Sequence, residues 1–310
     1  MSSWPAISYK DDHETFEALQ LMLQIVGKIR LAQTPWTNHS WHVPLYVSGA
    51  GLTTSLVPYA GGGFDLEFDF LRHRLQLRKS SGAIAEIPLQ APTIASFYRA
   101  VFDMLSGHGI DVSIHAAPNE LPEAVPFAED KVPRTYDDDA ARRFWLGLVR
   151  SHTVFAHFRS GFIGKVSPVH FFWGSFDLAV TRFSGHRAPL HPGGVPHLPD
   201  AVTQEAYSHE VSSAGFWPGG PAAPFALYYS YAYPEPKGFR DAKDLPPGAY
   251  FHETLQEYVL PYDVVRAAAE PDAVLLKFLE ATYAVAADAA RWDRAALECA
   301  LGEPGVVRKV

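Results

Sequence analysis

Hydrophobic positions along this chain switch between two periods. Over residues 14–32, Phe16, Leu19, Leu23 and Val26 recur at helical spacing, which predicts an amphipathic helix ended by Pro35 and the polar run at 38–40. Two short β-type runs follow, 42–48 and 52–57, separated by the hairpin signal Gly49-Ala50-Gly51. Strict alternation then sets Phe64, Leu66, Phe68 and Phe70 on one strand face and Asp65, Glu67 and Asp69 on the other. A two-residue turn at Arg72-His73 would place Phe68 opposite Leu77 and Glu67 opposite Arg78, apolar with apolar and acid with base. After a short strand near Ile87, Pro92 and Thr93 open a second helix with Ile94, Phe97, Tyr98, Val101 and Leu105 on its apolar face. Gly107 and Gly109 stop that helix, and 111–114 reads as one more strand.

The second half repeats the order. A helix over 138–158 carries Ala141, Phe144, Trp145, Leu148 and His152 on one face. A hairpin joins 168–173 to 176–183 through Gly174-Ser175, further strand runs lie at 207–211 and 225–233, and 255–260 precedes a long helix over about 272–290. The fold class is α+β: two pseudo-duplicated helix–antiparallel sheet–helix units packed as one body. Shifting the first half by 124 residues sets Pro44 on Pro168 and Leu52 on Phe176. The expected units are 1–130, including a Pro- and acid-rich connection at 116–134, and 131–310, which carries a polar loop insertion at 184–224.

Composition narrows the function classes. Among 310 residues, 47% are apolar and 19% charged, a globular balance. Lys and Arg total 26 against 34 acids, so the formal charge of −8 argues against a nucleic-acid binder, which needs a basic stripe. The single cysteine, Cys299, excludes an intramolecular disulfide and a cysteine-based zinc site. No run approaches the roughly 20 apolar residues of a membrane span, and the polar N-terminus lacks the pattern of a signal peptide. The expectation is a cytoplasmic protein with a small-molecule partner, no nucleic acid and no membrane.

Candidate chemistry concentrates between residues 165 and 220, where five of the fourteen histidines lie among aromatic and charged residues. With a turn at Gly174-Ser175, position 172 pairs with 177 and 170 with 179. His170, Phe172, Asp177, Ala179 and Thr181 then share one face, while Val169, Phe171, Trp173, Phe176, Leu178 and Val180 face the core. A histidine and an aspartate on one face suit acid/base work; the plainer alternative is an imidazole satisfied by an acid under a loop. If 205–210 is a strand, Glu205, Tyr207 and His209 share a face, making Glu205 and His209 the better pair and leaving Glu210 opposite. The catalytic candidates are therefore His170, Asp177, His209 and Glu205. Arg182 and Arg187, beside a glycine-rich loop, suit a carboxylate or phosphate, although simple alternation puts Arg182 on the Trp173 face, and both equally suit loop-stapling ion pairs. Tyr229 and Tyr231 share a strand face and, with Trp217, His191 and Glu210, complete the ligand-binding candidates; a core edge with hydroxyls reaching solvent is the plain reading of the tyrosines. A divalent metal would collect His170, His191, His209 and a carboxylate, a set suited to zinc, iron or manganese. No His-Glu-x-x-His helix supports it, so the cofactor stays open.

Longer strings carry a family resemblance. SPVHFFWGSFDLAVTRFSG (167–185), EAYSHEVSSAGFWPG (205–219), YSYAYPEP (229–236), LPYDVVR (260–266) and HVPLYVSGAGLTTSLVPY (42–59) resemble a bacterial family catalogued as domain of unknown function 5996. The resemblance implies one shared architecture over nearly the whole chain and a bacterial cytosolic setting, and no reaction. Two function classes remain: a small-molecule enzyme using the His/acid cluster, and a non-catalytic ligand-binding or interaction protein with an aromatic-lined cleft.

Overall fold

A computed structural model describes residues 4–308. Helix α1 (Tyr9–Gln33) begins five residues before the periodicity does, because the Ser8 hydroxyl caps it by accepting from the Asp11 amide, with Asp11 and Asp12 in the positive first turn. It was expected to be amphipathic. Instead an almost unbroken run from Leu21 to Arg30 is buried, so α1 is a central helix rather than a surface one.

The first sheet comprises β1 (Tyr46–Val47), β2 (Gly51–Thr53), β3 (Val57–Tyr59), β4 (Gly62–Asp69), β5 (Arg74–Lys79) and β6 (Ile84–Pro88), all antiparallel. Its order is β1-β2-β4-β5-β6, with β3 also paired to β4. The β4–β5 register differs from expectation by two residues: Phe68 faces Leu75, and Asp65 faces Arg78. The turn is longer because the Asp69 carboxylate accepts from the Leu71 and Arg72 amides, both at 2.9 Å, and His73 adopts a left-handed φ of 54°. A shift of two keeps every side chain on its face, so the core residues were placed correctly despite the wrong partners. Helix α2 (Ile94–Gly107) starts in a reciprocal Thr93–Ser96 capping box. The strand expected at 111–114 joins no ladder; the Asp111 amide donates instead to the Tyr59 hydroxyl at 2.7 Å.

After α3 (Asp138–Ser160) comes the second sheet: β7 (His170–Phe172), β8 (Asp177–Arg187), β9 (His209–Trp217), β10 (Leu227–Tyr233), β11 (Tyr250–His252) and β12 (Glu257–Pro261). Its order, β11-β12-β10-β9-β8-β7, is a meander whose last two strands are exchanged. The two sheets differ in strand order, so the expected duplication of one helix–sheet–helix unit is not borne out. Part of the segment read as a loop insertion, 184–224, is strand: β8 runs on to Arg187 and β9 fills 209–217, with an excursion between them that contains the short helix α4 (Asp200–Ala206). Helix α5 (Pro271–Ala289) packs with α3 on the inner face of this sheet, where Phe144 stacks on Phe176 at 5.0 Å and Ser151 bonds Tyr228 at 2.9 Å.

The two sheets meet edge to edge. Leu45 and Phe171 exchange both backbone hydrogen bonds, at 2.9 and 2.8 Å, and one hydrophobic cluster runs from Trp4 to Trp292 across both halves. Gly27 of α1 is the close-packing point of this junction. A methyl group there would lie 2.2 Å from the Trp173 indole, whose N–H donates to the Val43 carbonyl at 2.9 Å. Alanine is the better helix former by about 1 kcal/mol, yet Gly27→Ala is expected to lower the unfolding free energy by about 1–3 kcal/mol through overpacking. Urea unfolding reads the change directly, and a gain in stability would show that the indole has room to move.

Candidate functional site

The β7–β8 register is the one read from the sequence: Phe172 pairs with Asp177 and His170 with Ala179. Alternation then continues across the sheet, with Ala179 beside Gly215 and Tyr229, and Thr181 beside Ser213 and Tyr231. Small side chains on β8 and β9 leave the outer face of the sheet hollow at its centre, between the taller aromatics of β7 and β10. A cavity of about 630 Å³ occupies this hollow, within the usual range of roughly 300–1,000 Å³ for small-molecule sites. Its floor is the β7–β10 face. One wall comes from α1 and the 36–43 segment, another from the connection at Asn119-Glu120, and α4 with the chain before it forms the cover.

Asp177 anchors the floor. It is buried and accepts hydrogen bonds from the Ser175 hydroxyl at 2.5 Å and from the Tyr229 hydroxyl. Burial pushes its carboxyl above the ordinary range, while those two bonds pull it down. Gly215 permits the Tyr229 contact, since a methyl group there would lie 2.3 Å from the phenol oxygen. Gly174 does the same for Glu120, whose carboxylate would be 2.0 Å from an added methyl. Burial, reinforced by the nearby Asp177 charge, pushes Glu120 up to about 7, with Lys28 pulling the other way. Lys28 is itself lowered to about 8, chiefly by desolvation, and its ammonium bonds the Asn119 side-chain oxygen. Glu257 of β12 stands behind the tyrosines and is raised to about 8 by burial and by Asp177.

His170 is 1% exposed and lines the cavity. Burial, and then the Arg159 charge, lower it to about 3, so the imidazole is neutral at physiological pH. Its Nδ1 has no hydrogen-bond partner, and neither has Ser40 Oγ or Thr203 Oγ1, both buried and both on residues of the same cavity wall. Buried polar atoms are nearly always paired, which makes three orphans around one cavity informative.

The other candidates lie elsewhere. Glu205 belongs to α4, not to a strand, and its carboxylate receives the His39 amide at 2.8 and 2.9 Å; it does not share a face with His209. His209 begins β9, bonds Ser208 Oγ at 3.1 Å and lies outside the cavity lining. Arg182 points into the inner layer, as alternation requires: its guanidinium sits 3.6 Å above the Phe158 ring and donates to the Phe158 carbonyl. Arg187 pairs with His209 along the strand edge, Glu210 accepts from Ser184 at 2.8 Å, and Trp217 packs beside the small Leu227–Val259 cluster. His191 stacks on Tyr207 at 4.8 Å rather than joining His170, so the set proposed for a divalent metal is not assembled. Among the described residues, no group of three or more His, Cys, Asp or Glu side chains is arranged to hold a metal ion. Tyr229 and Tyr231 do line the cavity, Tyr231 sharing a 2.7 Å bond with Tyr207.

Lys28, Asn119 and Glu120 were missed. One signal was available: Gln24 and Lys28 are polar residues four apart in the most apolar stretch of α1, hence on one helix face. Both reach Asn119, with Gln24 exchanging bonds of 3.0 and 2.8 Å with its backbone. His39 also lacked a reading; its Nδ1 lies 2.8 Å from the Ala206 carbonyl and its Nε2 2.5 Å from the Lys165 ammonium, fastening α4 to the first half.

A family model described as "Family of unknown function (DUF5996)" matches residues 4–299. No curated protein and no solved structure matches the chain.

The raised Glu120 carboxyl makes stability depend on pH. Below its ordinary value of 4.5 both folded and unfolded chains hold the proton; between 4.5 and about 7 only the folded chain does, so this group's contribution to stability falls as pH rises through that window. Glu120→Gln removes the dependence. The melting temperature of the variant relative to the parent should rise from pH 5 to pH 8, and a difference that stays flat would mean that Glu120 titrates as an ordinary carboxyl.

Proposed function

Because the chain belongs to the family of unknown function DUF5996, which lends it no reaction or ligand, its own cavity carries the reading, and we propose that this cavity binds a small organic molecule with an apolar body. The observation behind this is that three residues lining one aromatic-walled cavity, His170, Ser40 and Thr203, each carry a buried polar atom with no hydrogen-bond partner. In a cavity meant only as a packing defect, such atoms are a cost with no return, at about 1–3 kcal/mol each. In a binding site they hold the ligand's polar groups. The apolar wall, with Trp41, Val43, Phe172, Phe183 and Leu198, takes the rest.

Acid–base catalysis is the second reading, favoured by Glu120. A carboxyl near 7 beside an amine near 8 can give or take a proton at physiological pH. Asp177, held between Ser175 and Tyr229, would orient the reacting group, and His170, neutral at that pH, would share a hydrogen bond with it. On this reading the paired histidines expected from the sequence give way to one carboxyl and one lysine.

The neutral fluorophore N-phenyl-1-naphthylamine tests the binding proposal. Saturable enhancement of its emission is expected with the parent protein. Ala179→Trp, which fills the floor of the cavity, should fold and lose that enhancement. Emission that saturates equally well in the filled variant, or never saturates in the parent, contradicts the proposal.

A further inference from the structure

The acidic corner of the cavity is short of positive charge. Asp177 and Glu120 line it and Glu257 stands close enough to sense Asp177, whereas Lys28 is the one cation among the described lining residues. Among the described residues, neither Asp177 nor Glu120 makes an ion pair within 4 Å. Lys28 acts on Glu120 without pairing to it, its ammonium being bonded to Asn119 and 5.7 Å from the Trp173 ring centre. His170 supplies no compensating charge, being neutral. Buried carboxylates without counter-charge are costly unless they take up a proton or meet a cation.

The walls around this corner favour a cation as well. Phe172, Trp173 and Tyr229 adjoin it, and the negative faces of aromatic rings attract ammonium groups. The unpartnered Ser40 and Thr203 hydroxyl oxygens and the His170 ring nitrogen offer acceptors to an N–H donor. An anionic ligand would meet two carboxyls against one lysine already bonded to Asn119, and a neutral one would offer those carboxyls no counter-charge.

We infer that the cavity takes a protonated amine with an aromatic or aliphatic body, its ammonium group received by Asp177 and Glu120. This rests on the small-molecule reading above and specifies the ligand class. Isothermal titration of the full chain with three indoles of matched shape separates the two claims: tryptamine, its alcohol counterpart tryptophol, and indole-3-propanoate. Tryptamine should bind at least about tenfold more tightly than tryptophol, the difference a charge-assisted hydrogen bond makes, and indole-3-propanoate most weakly. Asp177→Asn keeps the shape and can still bond Ser175 and Tyr229; it should erase the preference for tryptamine over tryptophol. Glu120→Gln provides the same measurement should Asp177→Asn fail to fold. If tryptophol or indole-3-propanoate binds as tightly as tryptamine, the amine class is wrong and the small-molecule pocket stands. If none of the three binds, both claims fall.

Discussion

The desolvation of Asp177 is the constraint around which the outer face of the second sheet is arranged. A carboxylate cannot be buried there without donors, and Ser175 and Tyr229 supply them. The Tyr229 hydroxyl reaches Asp177 only because residue 215, between them on β9, is glycine. The same lack of side chain at 215, with Ala179 and Ser213 beside it, hollows the sheet face into a cavity. Polar satisfaction and cavity shape are thus two consequences of one local sequence choice. Glu120 extends the pattern, since its carboxylate occupies the space that Gly174 leaves free in the turn just before Asp177.

What was legible in the sequence follows from the range of the interactions involved. The β7–β8 register and the shared face of His170 and Asp177 were readable because a short hairpin fixes parity locally. The shared face of Tyr229 and Tyr231 was readable from strand alternation alone, which does not say whether that face meets the core or the cavity. Glu205 was misplaced because apolar alternation across 205–210 is too brief to tell a short helix from a strand, and α4 is set by its docking on His39 rather than by its own periodicity. Glu120 was invisible in principle: it comes from an irregular connection, holds a left-handed φ of 61°, and is positioned by the hydrogen bond its N–H donates to the Pro196 carbonyl and by the docking of Asn119 against Gln24 of α1. No local pattern encodes such a meeting of three distant segments.

The cavity draws on both halves of the chain. The floor belongs to the second sheet, yet Lys28, Ser40 and Glu120 come from the first 130 residues, and the Leu45–Phe171 bridge fixes the two sheets relative to each other. The connection at 116–134, read from the sequence as a spacer, ties α1 to the cover instead, through Gln24–Asn119 and Glu120–Pro196. His39, itself part of the cavity wall, fastens α4 through the Glu205 carboxylate and the Ala206 carbonyl, while Glu205 and Lys165 lie outside the lining.

The cavity holds more acid than the protein's own cations pair with. Carbon-13 NMR of the glutamate side-chain carboxyls, with Glu120 assigned by its disappearance in Glu120→Gln, measures this in the free protein. The account predicts a Glu120 titration midpoint near 7. A midpoint near the ordinary 4.5 would mean that solvent or a counter-charge already compensates the corner, and would contradict it.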